Sequence, residues 1–286
     1  MSDPKPYEND PLNYLIPNFK DFNGKKQGTY EFNVSQPVFE IAVMCSVGIF
    51  PSDTNSSIRV EIDADDENLK NFAVSHQEKT IIIEQNVSSN MSNSIFIGNN
   101  MSVSGININI GSIGDKKDIS IVNDRVFING KEVAESNEDS QKYYEPKIRI
   151  FAPYMSNLDA QLKGSAVLAS AVPFLEAEVE TEGSAKVGFT TYNLDLQISG
   201  SGKGIFIIGG GSVKLDISGS GNAQATGNFG DARINISGSG EAITYGNCTG
   251  NYRAVVSGIG TITHHGTVGG RIKKSISGMG SISINI

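Results

Sequence analysis

The chain has 286 residues, of which 38% are hydrophobic and 32 are glycine, and it carries a formal net charge of −8 at pH 7. This acidic balance argues against nucleic acid as a partner of the whole chain, and the glycines lack the three-residue period of collagen. No stretch approaches the roughly 18 consecutive apolar residues of a membrane-spanning helix.

The first 35 residues are polar and contain four prolines, which predicts an irregular leader or cap over residues 1–35. The opening residues lack the basic segment and apolar run that define a signal peptide. Two locations remain open at this point. The opening Met1 favours the cytoplasm, whereas removal of an export leader before this numbering would place the protein outside it.

A β region is predicted for residues 36–145. It begins with β-branched, alternating segments such as "VFEIAVMCSVGIF" from Val38 and "SSIRVEIDAD" from Ser56. "DDENLKNF", from Asp65, predicts a single helical turn. Residues 86–145 read as a polar insertion, in which residues 86–114 predict either additional short strands or an inserted loop with β character. "DISIVNDRVFINGKEV" predicts a hairpin that turns at Asn123 and Asp124.

A repeated tetrad of small residues organises residues 146–286. Each tetrad has glycine in second place, and successive tetrads lie 17 to 20 residues apart. The positions one, three and five residues before a tetrad are mostly apolar, while the positions between them are mostly polar, which is the alternation of a strand with one inward face. The tetrads begin at Lys163, Glu182, Ser199, Ser218, Ser237, Ser257 and Ser277.

Units this short bury their apolar face only by stacking on one another. The repeat therefore predicts an all-β fold, a parallel β-solenoid of about 19–20 residues per coil over residues 146–286, which the N-terminal β region either continues or caps. Glycine is expected at the corners because the chain turns sharply there, often at positive φ, against identical corners. These structural corner glycines are Gly164, Gly183, Gly200, Gly219, Gly238, Gly258 and Gly278.

Few residues have the spacing of a chemical site. Cys45 and Cys248 show no metal-binding spacing, and nothing in the sequence supports a disulfide between them, so they are predicted to be buried or semi-buried thiols. His264 and His265 are neighbours in a predicted strand and point to opposite faces, and His264 falls in an inward column, which predicts a neutral core histidine. "GSGKG" at Gly200 lacks the spacing of a phosphate-binding loop. No metal ion, cofactor or catalytic residue is therefore predicted.

A basic stripe is the main candidate binding site. Lys214, Arg233, Arg253 and Lys273 occupy the same outward position on four successive coils, about 4.8 Å apart. One interpretation is a solvated face that discourages sheet association. The other is a surface that binds an anionic glycan, a lipid headgroup or an acidic partner.

The repeats resemble a known bacterial family, the auto-transporter adhesin, head GIN domain family. The similar segments are "APYMSNLDAQLKGSA", "LDLQISGSGKG", "LDISGSGNAQATG", "INISGSGEAITYG" and "VVSGIGTITHHG", together with the opening strands, so that the resemblance covers about residues 36–85 and 146–286. It implies a rigid solenoid used in binding or adhesion at the cell envelope or outside the cell.

Three functions are compatible with these observations. The preferred one is a non-catalytic, adhesin-like scaffold that presents the solenoid surface to a glycan, an envelope component or a protein. The second is an intracellular self-assembling protein, because the final "SISINI" is a strand open to homo-oligomer formation through the terminal coil. The third is a carbohydrate-active enzyme, in which Asp195 and Asp216 would supply the two carboxylates.

Overall fold

A computed structural model describes residues 26–54, 56–86, 119–122, 125–128, 131–134 and 145–285. The described residues fall into two compact units, one made of those up to Asn86 and from Pro146 onward, the other of those between Val87 and Glu145. The larger unit is a parallel β-solenoid with an N-terminal β region, which confirms the predicted fold class. Among the described residues, no helix has the length and apolar character that crossing a membrane requires.

Among the described residues, the larger unit has twenty strands and one helical turn, and the smaller unit has three strands. The turn, α1 (Asp66–Leu69), confirms the prediction; the Asp65 carboxylate caps it by accepting a 2.7 Å hydrogen bond from the Asn68 N–H. The strands are β1 (Lys26–Asn33), β2 (Val38–Val43), β3 (Ser46–Pro51), β4 (Ser57–Ala64), β5 (Phe72–Gln77), β6 (Thr80–Gln85), β7 (Ile119–Val122), β8 (Arg125–Ile128), β9 (Lys131–Ala134), β10 (Lys147–Ala152), β11 (Ser156–Gly164), β12 (Val167–Ser170), β13 (Phe174–Gly183), β14 (Lys186–Ile198), β15 (Lys203–Gly209), β16 (Val213–Ile217), β17 (Asn222–Asn228), β18 (Ala232–Ile236), β19 (Glu241–Tyr245), β20 (Tyr252–Val256), β21 (Thr261–His265), β22 (Ile272–Ile276) and β23 (Ser281–Asn285).

The coils stack to form two parallel faces. Face 1 has the strand order β6-β2-β11-β13-β14-β16-β18-β20-β22. Face 2 has the order β10-β3-β12-β14-β15-β17-β19-β21-β23. The long strand β14 belongs to both faces, because its first half pairs on face 2 and its second half on face 1. Parallel bridges from Phe229 to Cys248 and from Cys248 to Val268 form a narrow third side.

The N-terminal β region both continues and closes the solenoid. β2 and β3 form a coil that pairs in parallel with β11 and β12, while antiparallel pairs join β1 to β4, β4 to β10 and β5 to β6. β1 lies within the stretch that the sequence predicted to be irregular. It is a strand because its alternating Tyr30 and Phe32 pack on the core while its backbone pairs along β4. The predicted leader before Lys26 lies outside the described residues.

The smaller unit contains an antiparallel sheet of β7, β8 and β9. β7 and β8 are the two arms of the predicted hairpin, and their register joins Val122 to Arg125. The strands predicted between residues 86 and 114 lie outside the described residues, apart from Asn86. The predicted domain boundaries at residues 36, 86 and 146 stay predictions.

The apolar columns of the repeat form the core of the solenoid. Leu194, Leu196 and Ile198 are buried, and so are the residues in register with them on β16, β18 and β20. The last coil differs, because β22 pairs on only one edge among the described residues and Ile272 and Ile276 are 36% and 48% exposed. An inward side chain is fully covered only when a coil lies on each side of it. Homo-oligomer formation through this coil stays a prediction.

Close stacking explains the glycine at the later tetrads. A Cβ at Gly219 would collide with the carbonyl oxygen of Gly200, and one at Gly238 with that of Gly219. The left-handed backbone lies elsewhere: φ is positive at the first two tetrad glycines and at the midway turns, where it is +134° at Gly227 and +117° at Gly246. The corners therefore require glycine mainly because a side chain would not fit there. The midway turns require it also because their backbone has positive φ.

Candidate binding face

The candidate site is the outward surface of face 1. Parallel pairing places residues in register on top of one another, about 4.8 Å apart. The register joins Lys214 of β16 to Arg233, Arg253 and Lys273 on the next three strands. The four residues of the predicted stripe thus form one straight row across four coils.

The same row continues in the other direction with acidic residues, which sequence reasoning missed. Asp195 lies in register with Lys214, and Glu178, Asp159 and Glu40 follow on β13, β11 and β2. A sequence signal existed, since each member from Asp159 onward stands four residues before a tetrad. We call the whole set the charge row. It consists of Glu40, Asp159, Glu178, Asp195, Lys214, Arg233, Arg253 and Lys273.

The centre of the charge row is neutralised within the chain. The Lys214 ammonium donates to Asp195, with Nζ 2.8 Å from Oδ2, and lies 3.4 Å from Asp216 Oδ2. The hydrogen bond to Asp195 raises the pKa of Lys214 above its ordinary value, and the charges of both carboxylates add to this effect. Asp216 also accepts a hydrogen bond from the Asn235 amide. Asp195 and Asp216, considered above as a carboxylate pair, therefore share one cation.

The two ends of the charge row are not neutralised in this way. Among the described residues, no acidic side chain forms an ion pair with Arg233, Arg253 or Lys273, and all three are exposed. The acidic end, formed by Glu40, Asp159 and Glu178, likewise has no basic partner in the described part of the chain. Like charges stacked on adjacent strands repel one another. Each end therefore favours a partner of opposite charge.

A shallow groove runs beside the basic half of the charge row. Its lining includes Gln197, Asp216 and Asn235, together with the corner serines Ser199, Ser218, Ser237 and Ser257. Some of the serine hydroxyls form hydrogen bonds between adjacent coils. Ser199 Oγ, for example, donates to the Thr181 carbonyl at 3.0 Å. A groove that repeats with each coil and is open to solvent fits an extended chain better than an enclosed small molecule.

The polar groups of the interior are used for packing. Neither Cys45 nor Cys248 forms a disulfide, and both thiols are buried, as predicted. His264 is fully buried; its Nδ1 lies 2.9 Å from Thr244 Oγ1, which lies 2.8 Å from the Tyr252 hydroxyl. Burial lowers the pKa of His264 below its ordinary value, so the ring is neutral, as predicted. Among the described residues, no three His, Cys, Asp or Glu side chains are grouped to hold a metal ion.

The fold is similar to that of solved bacterial proteins. A "putative adhesin" from Bacteroides fragilis NCTC 9343 aligns with a TM-score of 0.51 at 14% identity, over 91% of this chain and 98% of that one. A "putative lipid binding protein" from Parabacteroides distasonis ATCC 8503 aligns with a TM-score of 0.48 at 17% identity, over 91% and 97% of the chains. No family model and no curated protein matches the sequence. At 14% identity, the likeness to the Bacteroides fragilis protein shows a shared fold and no more.

Proposed function

We propose that the protein is a non-catalytic, adhesin-like scaffold of the bacterial cell envelope that binds an anionic partner through face 1. The resemblance to the auto-transporter adhesin, head GIN domain family supports this proposal, and so does the shared fold with a protein named as an adhesin. The contact residues are Arg233, Arg253 and Lys273. Lys214 positions the row and contributes less charge, because it is paired with Asp195.

One observation carries the proposal, namely three exposed cations stacked without an acidic partner in the described residues. Together they span about 10 Å along the solenoid axis. A rigid backbone holds them at this spacing, so binding a polyanion costs little ordering of the protein. Repeated sulfates, phosphates or carboxylates would relieve the repulsion between the stacked cations.

The geometry disfavours the glycosidase hypothesis. A glycosidase needs one carboxylic acid and one carboxylate facing a substrate cleft, whereas Asp195 and Asp216 both contact the Lys214 ammonium. Their oxygens are thus engaged by an ammonium group of the same chain instead of facing a substrate from two sides. Turnover of a glycan panel that is lost in Asp195→Asn would contradict the non-catalytic proposal.

A pair of charge reversals tests the binding role. In Arg233→Glu/Arg253→Glu we expect at least a tenfold loss of affinity for dextran sulfate, because two of the three free cations become anions. The melting temperature should stay unchanged, since both side chains are exposed. The measurement is biolayer interferometry on immobilised polymer, with differential scanning fluorimetry on the same samples.

The matched control is Lys186→Glu/Lys203→Glu. These lysines are also exposed and lie in register on adjacent strands, but on face 2. The control changes the net charge by the same amount and should keep most of the affinity. Equal losses in both double variants would mean that net charge alone drives binding, and no loss in either would reject the site.

A further inference from the structure

The charge row is antisymmetric about its centre. Four acidic residues on one side of the midpoint between Asp195 and Lys214 are followed by four basic residues on the other side. Reversing the direction of such a row exchanges the acidic positions with the basic ones. Two copies of face 1 that meet with their rows antiparallel would therefore place an acid opposite a base at every position.

We propose that the anionic partner of the basic half is the acidic half of a second copy of this chain, an inference that rests on the proposed binding role of face 1. The two copies are related by a two-fold axis in the plane of the interface, crossing the charge row between Asp195 and Lys214. This register places Glu178 opposite Arg233, Asp159 opposite Arg253 and Glu40 opposite Lys273 of the other copy. A two-fold contact is self-limiting and produces a dimer.

The dimer supplies what each chain lacks. The six outer members of the charge row, which have no ion-pair partner among the described residues, each gain an oppositely charged neighbour. The central Asp195–Lys214 pair stays satisfied within its own chain and lies at the two-fold axis. The proposed contact thus uses the charges that are left over and needs no buried ion pair to be broken.

The neighbouring row is compatible with the same register. Glu180, Gln197, Asp216 and Asn235 lie in register beside the charge row. The two-fold axis places Gln197 opposite Asp216 and Glu180 opposite Asn235. Both pairs join a carboxylate to an amide, which can donate hydrogen bonds to it.

One pair opposes the contact and provides a sensitive test of register. Glu176 and Asp231 stand two residues before Glu178 and Arg233 on the same strand edges, so the antiparallel register places them opposite each other. Two facing carboxylates repel one another. Glu176→Gln should therefore tighten the dimer several-fold, whereas charge removal at an acid that faces a base, as in Glu178→Gln, should weaken it.

The contact is expected to be weak and sensitive to salt. The charge row is about 34 Å long over seven steps of about 4.8 Å, and with its flanking rows it covers an area near the lower limit of specific interfaces. Exposed ion pairs contribute little each and are screened by salt. We expect a dimer in about 20 mM salt that dissociates by about 500 mM, measured by sedimentation velocity on the full chain.

Charge-swap complementation decides the question. Arg233→Glu/Arg253→Glu and Asp159→Lys/Glu178→Lys should each be monomeric alone, because each places like charges across the interface. Mixed together at low salt, they should dimerise again, since every reversed residue then faces an opposite charge. Lys186→Glu/Lys203→Glu on face 2 should dimerise like the unchanged protein.

Each outcome supports or overturns the dimer, and failure of the proposed function looks different. A monomer at low salt, a dimer that survives either reversal, or a mixture that stays monomeric overturns the inference. If the protein is monomeric but Arg233→Glu/Arg253→Glu loses dextran sulfate binding, the proposed function stands and the inference fails. Circular dichroism of each variant establishes that it is folded. Recovery of the dimer in the mixture shows that face 1 is intact in both variants.

Discussion

At the scale of single residues, the corner glycines control how closely coils approach. A Cβ on Gly238 would collide with the Gly219 carbonyl oxygen, and one on Gly219 would collide with that of Gly200. A methyl group at such a position would force adjacent coils apart and break their backbone hydrogen bonds. The repeat keeps glycine there because no larger residue fits.

Substitution of one corner glycine should therefore be costly. We expect Gly238→Ala to lower the free energy of unfolding by about 3 kcal/mol, since the clash is with backbone that cannot move aside. Gly230→Ala is the control, because its Cβ would meet nothing closer than 3.7 Å and its φ is not left-handed. Urea denaturation measures both. Equal effects would show that backbone freedom, rather than stacking, explains the glycines.

His264 is a buried base whose neutral form is built into the core. Its Nε2 lies 3.5 Å from the Thr267 carbonyl oxygen, and its Nδ1 lies 2.9 Å from Thr244 Oγ1. The Tyr252 ring, 4.7 Å away between centroids, and the Phe229 ring leave no room for hydration of a charged imidazolium. Protonation would place a positive charge in this buried, apolar site, which is unfavourable.

The stability of the protein should fall as the pH falls through the histidine range. The pKa of His264 is lowered on folding, so between the folded value and about 6.5 the unfolded chain binds more protons, and stability decreases as the pH drops. We expect a loss of stability between about pH 7.5 and 5.5, measured by thermal denaturation. In His264→Gln the loss should be smaller. A variant with the same pH dependence would show that His264 does not cause it.

At the scale of elements, β14 links the two faces through an aromatic stack. Phe189 lies at the centre of this stack, 5.3 Å from Phe174 and 5.0 Å from Phe206 between ring centroids, both edge to face. All three rings are buried. Because each coil contacts only its neighbours, a central stack of this kind couples three successive coils.

Removal of the Phe189 ring should destabilise the protein much more than removal of an exposed ring on the same strand. We expect Phe189→Ala to cost about 4 kcal/mol, because it leaves a cavity that neighbouring coils cannot fill. Tyr192→Ala on the same strand should cost less than about 1 kcal/mol, since Tyr192 is 44% exposed. Chemical denaturation of the two variants measures this. Similar losses would argue against an essential stack.

The elements also show how far the sequence could be interpreted. Strands β14 to β23 follow from the tetrads, since each apolar column recurs at a fixed offset from glycine. The place of β10 between β3 and β4 could not be predicted, because it joins residues about a hundred positions apart and no local pattern encodes such a pairing. The acidic half of the charge row could have been predicted, because from Asp159 onward its members stand four residues before a tetrad. The change from acidic to basic residues has a spatial meaning only when the strands are known to pair in register.

At the scale of the larger unit, the solenoid places the charged residues of successive repeats at regular intervals along its axis. A parallel stack presents one residue per coil in each row, so the order of charges along the chain becomes their order in space. On face 1 that order changes sign once, between Asp195 and Lys214. Such a face is complementary to a reversed copy of itself, which is the feature expected of a surface that mediates contact between identical molecules.

Cross-linking between two variants that each carry one introduced cysteine tests this complementarity most directly. The native thiols are buried, so a short bismaleimide should react mainly at introduced sites. We expect chains carrying Glu178→Cys to cross-link with chains carrying Arg233→Cys at low salt, because the antiparallel register places these positions opposite each other. Each variant alone should stay uncrosslinked, since its two cysteines would lie about three coils apart along the row. Cross-linking within either variant alone, or none in the mixture, would contradict the account.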